Sequence, residues 1–574
     1  MMGSGVRTTD VSAGGWRALA ALVAVWLLAM VIWVRVPLAS GFDLGFSDRA
    51  DGIIEISILE HWRNVLLDAA TWDRPLYFHP DASTLGYNDG YLLYGLVYSF
   101  WRLFFDPFLS DTLNIATFKT IGFFATYGLV TRTLGWERPI ALLVALIFTV
   151  SNNLMVQAGH AQVQSITLLP LLAILAIAAW RAGAAGRDGR ARLLGSAAAA
   201  LMAAWLLTAF YMAWFTLFFT AVLALCWLFT SGPRPLHRAA GLVRAQFVTL
   251  AVIGAVFLLC ALPFLLVYLP KVRETGGQSY WKMLGYLATP GIDWINVGTD
   301  NYLWGWIFRL LHALVGAIAP RDPALPGRVL ANEHDSGFPL ILFALAVTAL
   351  WRVLRRGADQ PRFLRAFALA VFVSWLLTIQ LWVLSPWGLV FELVPGAKGM
   401  RVVLRYQLFL VLPVLLLVFA VYRERAMELL RTRPVLAVAA AVLLLVEQLN
   451  GSGAAQLRRS EHLAALEGIP RPPADCAAFY VVATRVGEPL YRNEEQNGKY
   501  PHNVDAMFLA QRWRIPTVNG YSTFTPPGWD FRNPLAPDYE ARVATYAARY
   551  HLPQLCRLDM RDAQPWQLRQ FPAR

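Results

Sequence analysis

Charge is scarce in this chain. Asp, Glu, Lys and Arg make up 15% of its 574 residues, against 57% hydrophobic residues and a mean hydropathy of +0.46, a balance that excludes an ordinary soluble globular protein. There is no Gly-rich loop ending in Lys-Ser or Lys-Thr and no Cys/His spacing of a zinc site, which argues against ATP coupling within the chain. No repeat of solenoid period occurs, and no low-complexity tract beyond Ala-rich stretches. Cysteine is nearly absent. Of the four, Cys226 and Cys260 lie in apolar runs and read as packing residues. Cys476 and Cys556 lie in the polar C-terminal region, where a disulfide between them is expected if that region faces an oxidising compartment.

What the chain does have is long apolar runs. Hydropathy predicts a polytopic α-helical membrane protein of about eleven transmembrane helices, at 16–37, 112–131, 138–157, 163–180, 193–209, 213–230, 246–269, 338–353, 365–383, 405–422 and 434–448. The net charge of +13 would raise nucleic acid as a partner for a soluble protein. Here the Arg residues cluster instead in alternate short loops, as Arg187, Arg190 and Arg192, as Arg352, Arg355 and Arg356, and as Arg423, Arg425, Arg431 and Arg433. The positive-inside rule makes these loops and the N-terminus cytoplasmic, and no nucleic-acid partner is expected. The long segments 38–111, 270–337 and 449–574 then fall on the other side. Residues 91–107 would invert every later loop if counted as a span, so they read as an aromatic amphipathic helix at the interface. The chain divides into a transmembrane domain, 1–448, and an extracytoplasmic C-terminal α/β domain, 449–574, joined near Pro470, Pro472 and Pro473. Within the tail, Phe479 to Ala483 reads as a strand and Tyr539 to Tyr550 as a helix.

The first outer loop concentrates carboxylates, including Asp43, Asp48, Asp51, Glu55, Glu60, Asp73, Asp81 and Asp89. If Ser47 caps a helix running on from Asp48, then Asp48, Asp51 and Glu55 share one face. Such crowding is relieved by a metal, a cationic ligand or a proton, or marks a base of raised pKa. It is equally what the first turn of a solvated helix carries to complement its dipole. His79-Pro80-Asp81 and Asn88-Asp89-Gly90 have turn composition, and His79 or Asp89 could also reach the cavity of Asp51 as metal ligand or substrate contact. Gly159-His160-Ala161-Gln162 joins two helices on the outer side, where His160 and Gln162 suit hydrogen bonds to a sugar or phosphate. Arg401 and Arg405 open the tenth helix on that same side, against the charge rule. Four residues apart on one helical face, they could grip a phosphate at headgroup level, or they could be snorkelling anchors.

The acidic loop Ser-Asp-Arg-Ala-Asp-Gly-Ile-Ile-Glu, the Gly-His-Ala-Gln turn and Arg-Val-Val-Leu-Arg-Tyr before a late helix, within this layout, resemble the GT-C superfamily of integral-membrane glycosyltransferases. The short tail run Thr517-Val518-Asn519-Gly520-Tyr521-Ser522 resembles the extracytoplasmic region of bacterial members. The resemblance implies sugar transfer from a polyprenyl-phosphate donor to an acceptor at the extracytoplasmic face of the bacterial inner membrane, with inversion. The acceptor would be a lipid-linked glycan, a polysaccharide or a protein. By the same resemblance the catalytic base is Asp48 or Asp51, and Arg401 and Arg405 stabilise the departing lipid phosphate. Glu55, His79, Asp89, His160 and Gln162 would complete the substrate contacts, in a site between the first outer loop and the outer ends of the third, fourth, seventh and tenth helices. A frequent family pattern has adjacent Asp-Glu where this chain has Asp-x-x-Asp-x-x-x-Glu, which leaves the base and the use of a divalent cation open. The alternative is a transporter or flippase of lipid-linked glycans, which should bury ionisable groups at helix centres. Lys119 is the exception among centres otherwise nearly free of them.

Overall fold

In the computed structural model, the described residues are 13–230, 232, 234–318, 332–356, 359–381, 384–451, 457–483 and 501–571. The middle of the second outer loop and part of the tail, 484–500, lie outside them. Helices dominate, and seven among the described residues are long and apolar enough to cross a membrane: Gly15–Trp33, Arg138–Val156, Ala161–Ala184, Asp188–Thr208, Phe210–Thr230, Phe247–Thr275 and Val403–Thr432. Helices also occupy the other four predicted positions, as Pro107–Gly128, Leu340–Arg356, Arg362–Leu376 and Pro434–Val446. The last three have 17, 15 and 13 residues; at 1.5 Å per residue they reach about 20–26 Å, short of a hydrocarbon core of about 30 Å. Local chemistry sets the boundaries. The carboxylate of Asp106 accepts the N–H groups of Phe108 and Leu109, and Pro107 follows at the first helical position.

The acidic loop folds around the helix Asp51–Leu66, which buries Ile53, Ile56, Ile58, Leu59 and Trp62. The helix Leu92–Trp101 crosses it at Gly95, where a Cβ would stand 2.5 Å from the Trp62 ring. At 10 residues this second helix reaches only about 15 Å, too short to span. Tyr94 and Tyr98 are buried while Leu96 and Phe100 are exposed, a two-faced pattern suited to an interface.

The tail carries a three-stranded sheet of order β1 (Phe479–Ala483), β2 (Gln554–Asp559), β3 (Trp566–Gln570), parallel then antiparallel. The parallel pair requires a crossover, which the helices Pro501–Trp513 and Tyr539–Arg549 supply on the route from β1 to β2. A disulfide joins Cys476 to Cys556.

This unit is fastened to the acidic loop by main-chain bonds: Thr517 N–H to Leu76 O at 2.8 Å, Phe78 N–H to Asn519 O at 3.0 Å and His79 N–H to Thr517 O at 2.9 Å. The Asn519-Gly520 pair is explained here. The side chain of Asn519 accepts from Val481 N–H and donates to Asn503. Gly520 lies against the Phe78 ring, which a Cβ would meet at 2.6 Å. Tail and loop therefore share one apolar core, with Phe78 packed edge-on against Trp529.

Candidate active site

Between the acidic loop, the tail and the ends of several helices lies a cavity of about 1300 Å³. Eight of the nine side chains singled out in the sequence line it: Asp48, Asp51, Glu55, Asp89, His160, Gln162, Arg401 and Arg405. His79 does not. Its N–H and carbonyl are tied to Thr517 and Tyr546 in the contact between loop and tail, and burial lowers the basicity of its ring.

The acidic cluster is arranged differently from the sequence expectation. The helix begins at Asp51, not Asp48. The Asp48 carboxylate is the group that caps it, accepting Ala50 N–H at 2.8 Å and Gly52 N–H at 3.2 Å. Ser47 instead donates to Glu55 Oε2 at 3.5 Å. Both bonds fall on Oδ1, which ties Asp48 to the start of the helix while it lines the cavity. Burial, with the neighbouring Asp51 charge, raises its pKa.

Asp51 is the open member of the set. About 47% of its side-chain surface is accessible, and it lines the cavity. Burial among protein atoms acts to raise its pKa. The His160 hydrogen bond and the charges of Arg405 and Arg401 outweigh that effect and hold the carboxyl below its usual value. His160 Nε2 stands 3.5 Å from Asp51 Oδ2. Glu55, one turn further on, is buried with one oxygen unpartnered, and burial beside Asp111 pushes its carboxyl well above the usual range. Asp89 has a structural bond of its own, accepting Phe210 N–H at 2.8 Å, and burial raises it to about 6. Gln162 accepts from the Tyr91 hydroxyl at 3.1 Å.

Arg401 and Arg405 do not share a helical face. The late helix starts at Tyr406, after a single 3₁₀ turn over Val403–Arg405, and Arg401 precedes both. What brings them together is Tyr211, whose hydroxyl accepts Arg401 N–H at 2.7 Å and Val402 N–H at 3.2 Å and whose ring lies 5.6 Å from the Arg405 guanidinium. Arg405 is buried and paired in two bonds with Glu333. Arg401 is exposed to the cavity, and among the described residues no carboxylate lies within ion-pair distance of it.

The sequence reading missed Glu333, Tyr211 and Tyr91, and also the tail segment Tyr521 to Thr525 that lines the same cavity. The cavity is also lined by Leu217 of the helix Phe210–Thr230 and by Phe257, Phe264 and Leu269 of the helix Phe247–Thr275. Among the described residues no three metal-ligating side chains gather; Asp51 and His160 are two.

No family model matches the chain, and no curated protein matches it either. Among solved structures it is similar to the apo crystal structure of the Archaeoglobus fulgidus oligosaccharyltransferase, with a TM-score of 0.50 and 12% identity, over 95% of this chain and 70% of that one. The oligosaccharyltransferase AglB of the same archaeon, in complex with an inhibitory peptide and a dolichol-phosphate, gives 0.49 at 13% identity over 95% and 69%. ArnT from Cupriavidus metallidurans bound to undecaprenyl phosphate gives 0.38 at 13% identity over 96% and 93%. At 12% identity the first similarity is one of fold.

Proposed function

We propose that this chain, a membrane protein of the GT-C fold, transfers a sugar from a polyprenyl-phosphate donor to an acceptor at the extracytoplasmic face of a bacterial inner membrane, with inversion at the anomeric carbon. The observation that carries this reading is that Asp51 and Arg401, from segments 350 positions apart, open on one cavity. A carboxylate whose pKa is held below the usual value and guanidinium groups whose charges act on it line the same space.

In the proposed step the acceptor hydroxyl gives its proton to Asp51 as its oxygen attacks the anomeric carbon. The bond from that carbon to the phosphate oxygen breaks, and the polyprenyl phosphate leaves with the electron pair. Arg401 meets the negative charge that accumulates there, assisted by the Nη1 edge of Arg405 that Glu333 leaves uncovered. His160 orients Asp51, and Gln162 with Tyr91 offers hydrogen bonds to the sugar. The polyprenyl chain lies along the apolar groove at Leu217, Phe257, Phe264 and Leu269. Asp48 acts as a helix cap and Asp89 holds Phe210, so both shape the site without touching the reacting atoms. Two metal-ligating side chains are few for a protein-built cation site, so no step is routed through a metal.

The same reading takes about eleven spans with the N-terminus cytoplasmic and the domain 449–574 outside, its Tyr521 to Thr525 segment facing the acceptor. The acceptor class is a lipid-linked glycan, a polysaccharide or a protein. The direct test incubates the purified chain with a polyprenyl-phosphate sugar and acceptor and measures polyprenyl phosphate released alongside glycosylated product. A flippase would redistribute the intact donor between leaflets and release neither.

A further inference from the structure

A second cavity, of about 430 Å³, is lined by Ala18, Leu19, Leu22, Tyr127, Thr131, Arg132, Trp136 and Arg138. Its place along the first helix, Ala13–Trp33, is decisive. Residues 18–22 lie near the start of that helix, whereas the acidic loop follows its end, about 20 Å further along the axis. The cavity is therefore at the membrane face opposite the candidate active site.

The backbone is irregular at this point. The helix Pro107–Gly128 runs into a π-turn over Leu129–Thr133, closed by Leu134 N–H to Leu129 O at 2.8 Å, a distortion often found at functional sites. The turn carries Thr131 and Arg132 into the crevice beside the first helix, and Arg138 opens the next helix, Arg138–Thr149. Both arginines are exposed, and among the described residues neither has a carboxylate within ion-pair distance. Glu137, between them in sequence, does not line the cavity. Arg423 adds a third guanidinium, 5.6 Å from the Trp136 ring. Below the arginines the wall is apolar, with Leu19 48% exposed, and Tyr127 and Trp136 mark the depth at which aromatic side chains meet headgroups.

We propose that this crevice binds an anionic phospholipid of the leaflet opposite the active site, its phosphate between Arg132 and Arg138 and its acyl chains along Leu19 and Leu22. Unpaired cations above an apolar groove between helices match a headgroup phosphate and its chains together, which a zwitterionic lipid or a free anion matches only in part. The inference is independent of the sugar-transfer reading.

Native mass spectrometry of the full chain, with equal amounts of phosphatidylglycerol and phosphatidylcholine, tests it. Phosphatidylglycerol adducts should exceed phosphatidylcholine adducts by about tenfold. The double variant Arg132→Ala, Arg138→Ala should erase that preference while melting like the parent in lipid-free detergent. Leu22→Trp, which fills the apolar part and keeps both arginines, should weaken phosphatidylglycerol binding also. An unchanged preference in the double variant overturns the proposal. So does displacement of the lipid by inorganic phosphate at millimolar concentration, which would make the crevice a site for free anions.

Discussion

Glu333 grips one edge of the Arg405 guanidinium, with Nη2 to Oε1 at 2.7 Å and Nε to Oε2 at 3.2 Å, across 72 positions of chain. The buried arginine is thereby fixed by the protein, and Arg401 beside it is left for an incoming anion. The two should separate experimentally. Glu333→Ala strands a buried guanidinium and should lower stability by about 3 kcal/mol, the low end for a broken buried pair because this one borders an open cavity. Arg401→Ala should melt near the parent yet lose donor turnover. Thermal melting of both purified variants, beside their turnover, checks this; equal melting losses would contradict the division of roles.

The acid limb of activity should depend on His160. Turnover by the proposed route requires ionised Asp51, whose pKa is held below the ordinary range because His160, Arg405 and Arg401 outweigh burial. Activity should therefore persist at pH values where an ordinary carboxyl begins to protonate. His160→Ala removes the hydrogen bond, so the limb of kcat/KM against pH should move upward. An unmoved limb would show that His160 does not act through Asp51.

Stability should fall with rising pH through Asp89. In the folded chain it titrates at about 6, above the roughly 3.9 of an unfolded Asp, so between those values the folded state holds more protons and stability declines as pH rises. Asp89→Asn keeps an oxygen for Phe210 N–H and removes the titration. Melting measured from pH 4 to 7 should decline less steeply in the variant than in the parent, the remaining slope coming from other raised carboxyls such as Glu55.

Gly520→Ala should loosen the tail. The added Cβ would stand 2.6 Å from the Phe78 ring, and overpacking of this kind costs about 1–3 kcal/mol. Limited proteolysis should cut the variant's tail faster than the parent's, with the helical part intact. Equal cleavage rates would mean that the contact is not what holds the tail against the acidic loop.

How far the sequence spoke for itself differs by element. Apolar length announced the long helices, and a short continuous apolar run announced β1, because burial writes both patterns locally. The Gly-His-Ala-Gln turn and the two arginines stood out because polar groups are conspicuous among apolar runs. Glu333 could not be found that way: it sits in a polar loop without periodicity, and its meaning comes from Arg405, far along the chain. Tyr211 reads as one more aromatic in an apolar helix until its hydroxyl is seen to accept two N–H groups from the Arg401–Val402 backbone. The roles of Asp48 and Asp51 turned on where one helix begins. A shift of three residues makes the first a cap and leaves the second open beside His160, and boundary residues are what local pattern fixes least well.

The central claim is that Asp51, and not Asp48, takes the acceptor proton in a cavity shared with Arg401. The most direct measurement is single-turnover sugar transfer from a defined polyprenyl-phosphate donor by Asp51→Asn and Asp48→Asn. Asn is itself a good helix cap, so Asp48→Asn should stay within a few fold of the parent while Asp51→Asn slows by roughly 10²–10⁴-fold with unchanged melting. Parent-like turnover by Asp51→Asn would contradict the account.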